Sequence, residues 1–158
     1  MNKSALIDKL INALRSELET YVRAAKASHQ EATAEENRAE NKYDTRGLEA
    51  SYLATGQANK VMELEEAIGA FEDLKATSFD DSGIDVGALV ELDQNGEKAF
   101  YFIGPNAGGT EITDGVHEVL VITPQSPLGA QLQGRQQGER LELMLVGAKR
   151  QIQIVNVC

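Results

Sequence analysis

Residues Ile7, Ile11, Leu14, Leu18, Tyr21, Ala25, Ser28 and Ala32 recur at spacings of 4, 3, 4, 3, 4, 3 and 4, with polar side chains between them. That is the seam of a coiled-coil helix, large at its start and small toward Ala32. A second seam runs through Ala50, Ala54, Gln57, Val61, Leu64, Ile68 and Phe71, now from small to large. The two tapers match if the helices fold back on each other, so that Ala25, Ser28 and Ala32 face Ala50 and Ala54 near a narrow tip. Ile7, Leu14, Ile68 and Phe71 then close the wide base. Helices of about 35 residues reach roughly 50 Å at 1.5 Å rise per residue. The turn between them is expected between Glu36 and Gly47.

After Gly83 the period changes from helical to alternating. Ala88 to Leu92 and Glu97 to Ile103 flank Asn95-Gly96, a strong hairpin signal. Glu118 to Thr123, Leu141 to Val146 and Gln151 to Val157 read as further strands, with Gly147-Ala148-Lys149 as the turn joining the last two. Ser126-Pro127 before Leu128 to Leu132 supplies an N-cap serine and a proline at the first helical position, which predicts a short helix. Glycine and proline follow the same division: Gly47, Gly56 and Gly69 precede residue 80, whereas eleven glycines and all three prolines follow it. The fold class expected is therefore α+β: an antiparallel helical hairpin over 1–78 with its tip near 36–46, a linker at 79–83, and an antiparallel sheet of about five strands with one helix over 84–158.

Charge narrows the function. The 158 residues carry 15 basic and 25 acidic side chains, a formal net charge of −10. Residues 1–80 hold 10 basic and 15 acidic, and 81–158 hold 5 and 10, so each half carries −5. Direct binding to DNA or RNA draws its affinity from clustered Lys and Arg that release counterions, and no such cluster exists. A nucleic-acid role would be indirect. No apolar run reaches the ~18 residues of a membrane span, and Asp8 and Lys9 interrupt any signal-like stretch at the start. With Cys158 as the one cysteine, neither a disulfide within the chain nor a cysteine zinc site can form. A soluble, cytoplasmic monomer is expected, the alternative being a dimer with the heptads paired between chains.

The segment Glu31 to Asp44 holds five carboxylates and two cations at the expected tip. Carboxylate oxygens suit Mg²⁺, which is held by one or two protein carboxylates together with partner groups. Glu36, Glu40 and Asp44, four residues apart, form a cluster if helix continues across them. The plainer reading is a solvated charged turn. His29 and His117 lack partners at ligand spacing, and the glycine-rich loop Gly104 to Gly109 lacks the Lys-Ser/Thr ending of a phosphate loop. No self-sufficient catalytic set exists, so the chain is not expected to be an enzyme.

The order of parts, with Ile122-Thr-Pro-Gln-Ser126-Pro127-Leu128-Gly129-Ala-Gln-Leu132-Gln-Gly134-Arg135-Gln-Gln-Gly138-Glu139, resembles the GreA/GreB transcript cleavage factors of bacteria. The series Ser-Pro-Leu, Leu-x-Gly-Arg and Gly-Glu looks like that family's Ser-Pro-aliphatic, Leu-x-Gly-Lys and Gly-Asp. Val86 to Val90 and Ile152 to Val157 extend the similarity over most of 84–157. The resemblance implies an FKBP-like C-terminal domain that docks on RNA polymerase at its secondary channel, with Ser126, Pro127, Leu128, Gly134 and Arg135 at the polymerase contact. It also implies a hairpin tip whose carboxylates help hold a Mg²⁺ shared with polymerase while the polymerase cleaves its own backtracked RNA. The factor then needs no cofactor of its own.

At the tip the sequence departs from the family's Asp-Leu-x-Glu-Asn-Ala-Glu-Tyr. Matching on Glu40-Asn41 puts Asn37 at the first acid; matching on Tyr43 puts Glu36 there and Ala39 at the second. One family carboxylate is absent either way. Two functional readings stay open: a factor that stimulates cleavage, and a secondary-channel regulator or inhibitor without cleavage activity. From a different class, an FKBP-like domain also suggests a peptidyl-prolyl isomerase or chaperone. Such sites are rich in aromatic residues, whereas this chain has four Phe, four Tyr and no Trp.

Overall fold

The computed structural model describes residues 1–33, 46–74, 78–79 and 82–158. Of the expected tip at 36–46, everything before Arg46, including Glu36, Asn37, Glu40 and Asp44, lies outside the described residues, as does part of the linker at 79–83. Side chains of Ala32 and Ala50 also lie outside them. The elements in order are α1 (Lys3–Thr33), α2 (Arg46–Glu72), β1 (Leu89–Gln94), β2 (Glu97–Ile103), β3 (Glu111–Asp114), β4 (His117–Ile122), α3 (Pro127–Leu132), β5 (Arg140–Leu145) and β6 (Ala148–Val157). They form two compact units, Asn12–Gly69 and Met1–Ile11 with Ala70–Cys158. The opening of α1 and the end of α2 thus group with the sheet.

In the helical unit the seam positions are the inward ones. Leu14, Leu64 and Ile68 are buried, as is Ala67 off the seam, and Leu18, Tyr21, Ala25, Ala54 and Val61 are half-buried. The seam also holds a polar pair: Ser28, buried, donates from Oγ to Gln57 Oε1 at 3.2 Å. A hydrogen-bonded polar pair inside a seam costs stability relative to apolar packing but fixes which turns of the two helices lie side by side. At the end of α1, Thr33 Oγ1 donates to the carbonyls of His29 and Gln30, at 2.9 and 3.3 Å, covering acceptors that the helix leaves open there.

The other unit is built on a six-stranded sheet of order β3-β4-β2-β1-β6-β5. Its ladders are antiparallel except for β2 with β4, which run parallel. The wholly antiparallel, five-stranded sheet expected from the sequence is corrected on two counts. β3 is an additional strand, and its return through Gly115 lays β4 beside β2 in the same direction. Alternation along the strands gives the sheet two apolar faces. Val90, Leu92, Ile103, Ile122, Ile152, Ile154 and Val157 pack with Leu132 of α3 on one. Leu89, Phe102 and Val121 share the other by register, and there the Phe71 ring lies 6.2 Å from that of Phe102. Leu6 and Leu10 of α1 are also fully buried within this unit.

Polar contacts tie the start of α1 to the sheet. Lys9 Nζ lies 2.6 Å from Asp114 Oδ1 and 3.3 Å from the Thr113 carbonyl, and Lys3 Nζ sits 4.7 Å above the Phe79 ring. The hydrogen bond from Lys9 holds the Asp114 carboxyl below its ordinary value, aided by the ammonium's charge and opposed by desolvation. A carboxyl with a depressed folded-state value stabilises the fold above the ordinary carboxylate range and loses that contribution as pH falls through the lowered value. Asp114→Asn is therefore expected to melt below wild type at neutral pH, the gap closing in acid. Thermal melts of both proteins across pH check this.

Candidate docking surface

The motif segment folds around α3, and its chemistry explains each member. Ser126 is the N-cap, with φ −68° and ψ 153°. Its Oγ accepts from Gly129 N at 3.0 Å and donates to the Thr123 carbonyl at 2.7 Å, to which Ser126 N also donates at 2.9 Å. Pro127 opens the helix, where its missing N–H costs nothing, and is exposed. Leu128 packs half-buried against the core. Gly129 has no room for a side chain: a Cβ there would run into the Thr123 carbonyl and come 2.8 Å from Ser126 Oγ.

Beyond the helix the chain turns back through Gly134 at φ 74°, a left-handed conformation that favours glycine. Gly134 N donates to the Ile84 carbonyl at 2.8 Å, and Ile84 N donates to that of Arg135 at 2.7 Å. Arg135 is exposed, its Nη1 3.4 Å from Glu139 Oε2, while Glu139 Oε1 accepts from Gln136 N at 2.8 Å. Gly138 N and the Glu139 carbonyl then pair with Ile154 of β6 at 2.8 and 2.9 Å. An open groove of about 400 Å³ lies between α3 and β5, with Gln131, Gln133, Arg135, Glu139 and Glu142 among its lining residues.

The five residues that the resemblance implies at a polymerase contact thus divide. Ser126, Leu128 and Gly134 serve the fold through a cap, a core contact and a turn. Pro127 and Arg135 present themselves to solvent, at the two ends of a six-residue helix. Two glutamines unmarked by the sequence complete the surface. Gln131 brackets the backbone of Met144, its Oε1 accepting from Met144 N at 2.8 Å and its Nε2 donating to Met144 O at 3.3 Å. Gln133 Nε2 donates to Asp85 Oδ1 at 2.9 Å. Glutamine carries no positional signal in sequence, so neither role was visible there.

Elsewhere, His29 lines an open space of about 550 Å³ between α1 and α2 with Ala25, Lys26, Gln30, Ala54 and Thr55. The His117 ring lies against that of Phe100, with centroids 4.6 Å apart and the planes tilted by 50°. Among the described residues no group of three or more His, Cys, Asp or Glu is placed to hold a metal, and no helix is long and apolar enough to cross a membrane. The tip carboxylates are not among those residues.

No family model and no curated protein matches the chain. Among solved structures it is similar to GreA factor homolog 1 (Gfh1) of Thermus thermophilus, at 22% identity over 94% of both chains with a TM-score of 0.40. It is similar to Gfh1 of Thermus aquaticus at 21% identity over 98% of this chain and 92% of that one, also with a TM-score of 0.40. A GreA/GreB elongation factor from Nitrosomonas europaea gives 18% identity over 73% and 94%, with a TM-score of 0.37.

Proposed function

We propose that this chain is a Gre-like transcription factor that binds bacterial RNA polymerase at the secondary channel and modulates elongation. The observation that carries the reading is the Ser126-to-Glu139 series. Its spacing resembles the Gre pattern, and its members assemble around one short helix, leaving Pro127 and Arg135 exposed for contact. The helical hairpin that precedes the sheet, and an acidic sequence without clustered Lys and Arg, fit a protein that touches polymerase and not the nucleic acid.

On this reading the chain is not itself an enzyme. Glu36, Glu40 and Asp44 offer oxygen donors of the kind Mg²⁺ takes, and would share a polymerase Mg²⁺ that activates water for cleavage of extruded RNA. The family carboxylate missing from this tip favours a second form of the same reading, a channel-binding regulator that does not stimulate cleavage.

Polymerase stalled in a backtracked complex separates the two. If the tip acts in cleavage, added protein shortens the RNA, and Glu40→Ala lowers that rate by about tenfold or more while changing affinity by less than about twofold. Unshortened RNA with retained binding selects the regulator without cleavage. Loss of binding by Glu40→Ala, to the same degree as loss of cleavage, contradicts the division between tip and anchor.

A further inference from the structure

An edge strand carries backbone N–H and C=O groups with no neighbour, and natural sheets blunt such edges. The β3 edge is blunted: it has four residues, and Lys9 Nζ takes the Thr113 carbonyl at 3.3 Å. The β5 edge is closed at one residue. Gln131 Oε1 accepts from Met144 N at 2.8 Å and Gln131 Nε2 donates to Met144 O at 3.3 Å, the two-bond exchange that opposed residues of an antiparallel pair make. A side-chain amide of α3 thus stands where the peptide of a further strand would lie.

Backbone groups alternate in direction along a strand, so the residues two and four before Met144 face the way it does. Glu142 and Arg140 therefore turn their N–H and C=O groups to the open side, while the Glu139 carbonyl, of the other parity, turns inward and accepts from Ile154 N at 2.9 Å. Among the described residues no backbone partner meets Glu142 or Arg140 on that side. The groove between α3 and β5 lies along this stretch, with Leu141, Glu142 and Leu143 on the strand's side and Arg135 across from them. The two outward side chains differ in what they still lack. Glu142 is met by Lys149 at 2.9 Å and by Gln151 at 3.4 Å, whereas Arg140 is exposed, opposite the neutral Gln153, and without an ion pair among the described residues.

We infer that β5 takes up an extended segment of RNA polymerase as a seventh strand, laid in this groove along Arg140 to Glu142, stopped by Gln131, and carrying a carboxylate that faces Arg140. Backbone groups open at alternate residues select an extended chain over a helix, whose own N–H and C=O groups are already paired. The guanidinium of Arg140 selects the acid. A second copy of this chain fits poorly, because its own Gln131 closes Met144 and the two copies would share no more than the stretch 140–142, far below the contact of a stable dimer. The inference rests on the polymerase reading above and extends its docking surface from α3 to the β5 edge.

The test compares the affinity of wild type, Glu142→Ala, Glu142→Pro and Arg140→Glu for RNA polymerase, and follows amide hydrogen exchange across 138–145 of wild type with and without polymerase. Both changes at Glu142 remove the carboxylate and its Lys149 contact; proline alone also removes the outward N–H, which an edge position tolerates. Glu142→Pro is expected to bind about tenfold more weakly than Glu142→Ala. Arg140→Glu is expected to bind about tenfold more weakly than wild type. In wild type, polymerase is expected to slow exchange at Arg140 and Glu142, whose amides are open in the free protein, more than at Leu141 and Leu143. A folded Glu142→Pro that binds as Glu142→Ala does, or exchange at Arg140 and Glu142 left unchanged by bound polymerase, overturns the added strand and leaves the polymerase reading intact. If Glu142→Pro does not fold, the exchange measurement on wild type decides alone. Wild type that fails to bind polymerase overturns both. Sedimentation that finds wild type self-associated and Glu142→Pro monomeric assigns the edge to a second copy of this chain, and also overturns the inference.

Discussion

Replacing Gly129 by alanine is expected to destabilise the sheet unit by about 3 kcal/mol, a large effect for one methyl group. The new Cβ meets the Thr123 carbonyl, which is backbone and cannot swing aside as a side chain could. That carbonyl accepts from both the nitrogen and the hydroxyl of Ser126, so moving it breaks the cap from below. Ser126→Ala removes only the hydroxyl's two bonds and is expected to cost about 1 kcal/mol. Urea denaturation followed by far-ultraviolet circular dichroism separates the two. Equal losses would mean that α3 shifts as a body to accept the methyl, and that the close approach at Gly129 is not what sets its position.

Phe71→Ala is expected to cost about 3–5 kcal/mol. The ring is completely buried, tilted against Phe102, and reaches to where a Cβ on Gly104 would lie 3.1 Å from its Cζ. No described side chain can refill that space without leaving its own packing, because Phe102, Leu6 and Leu10 are themselves fully buried. The same denaturation experiment checks the figure. A loss below about 1 kcal/mol would place the ring at a site able to collapse.

Local chemistry was the part of the fold most legible in the sequence. The seam residues Ile7, Ile11, Leu14, Leu64, Ile68 and Phe71 are buried, since a 3.5-residue period maps onto one side of a helix. Asn95-Gly96 and Ser126-Pro127 act as a turn and a helix start because each needs only its immediate neighbours. Leu6 and Leu10 lie just off the seam, where the heptad period gives no sign of burial. The first turns of α1 bury them in the sheet unit, and a helix buried on two sides has no single apolar stripe.

Long-range pairing was the part that could not be read. β3 has four residues, of which Ile112 is the one buried apolar side chain, too little alternation to signal a strand. Its parallel consequence, β4 beside β2, depends on chain path and not on composition. The β5–β6 turn was expected one residue late because valine argues for strand. The structure places Val146 in the turn itself and starts β6 at Ala148. At the candidate site, the cap and turn residues followed from known residue preferences, whereas Gln131 and Gln133 owe their roles to partners thirteen and forty-eight residues away.

Competition with a Gre factor is the sharpest check on the proposed binding to the secondary channel of RNA polymerase. A labelled Gre factor bound to polymerase is titrated with this protein, and its displacement is followed by anisotropy. Complete displacement at saturating protein, retained by Glu40→Ala and reduced by Gly129→Ala in proportion to the fraction unfolded, is the result expected. An undisplaced Gre factor, with this protein folded and in large excess, would contradict the claim.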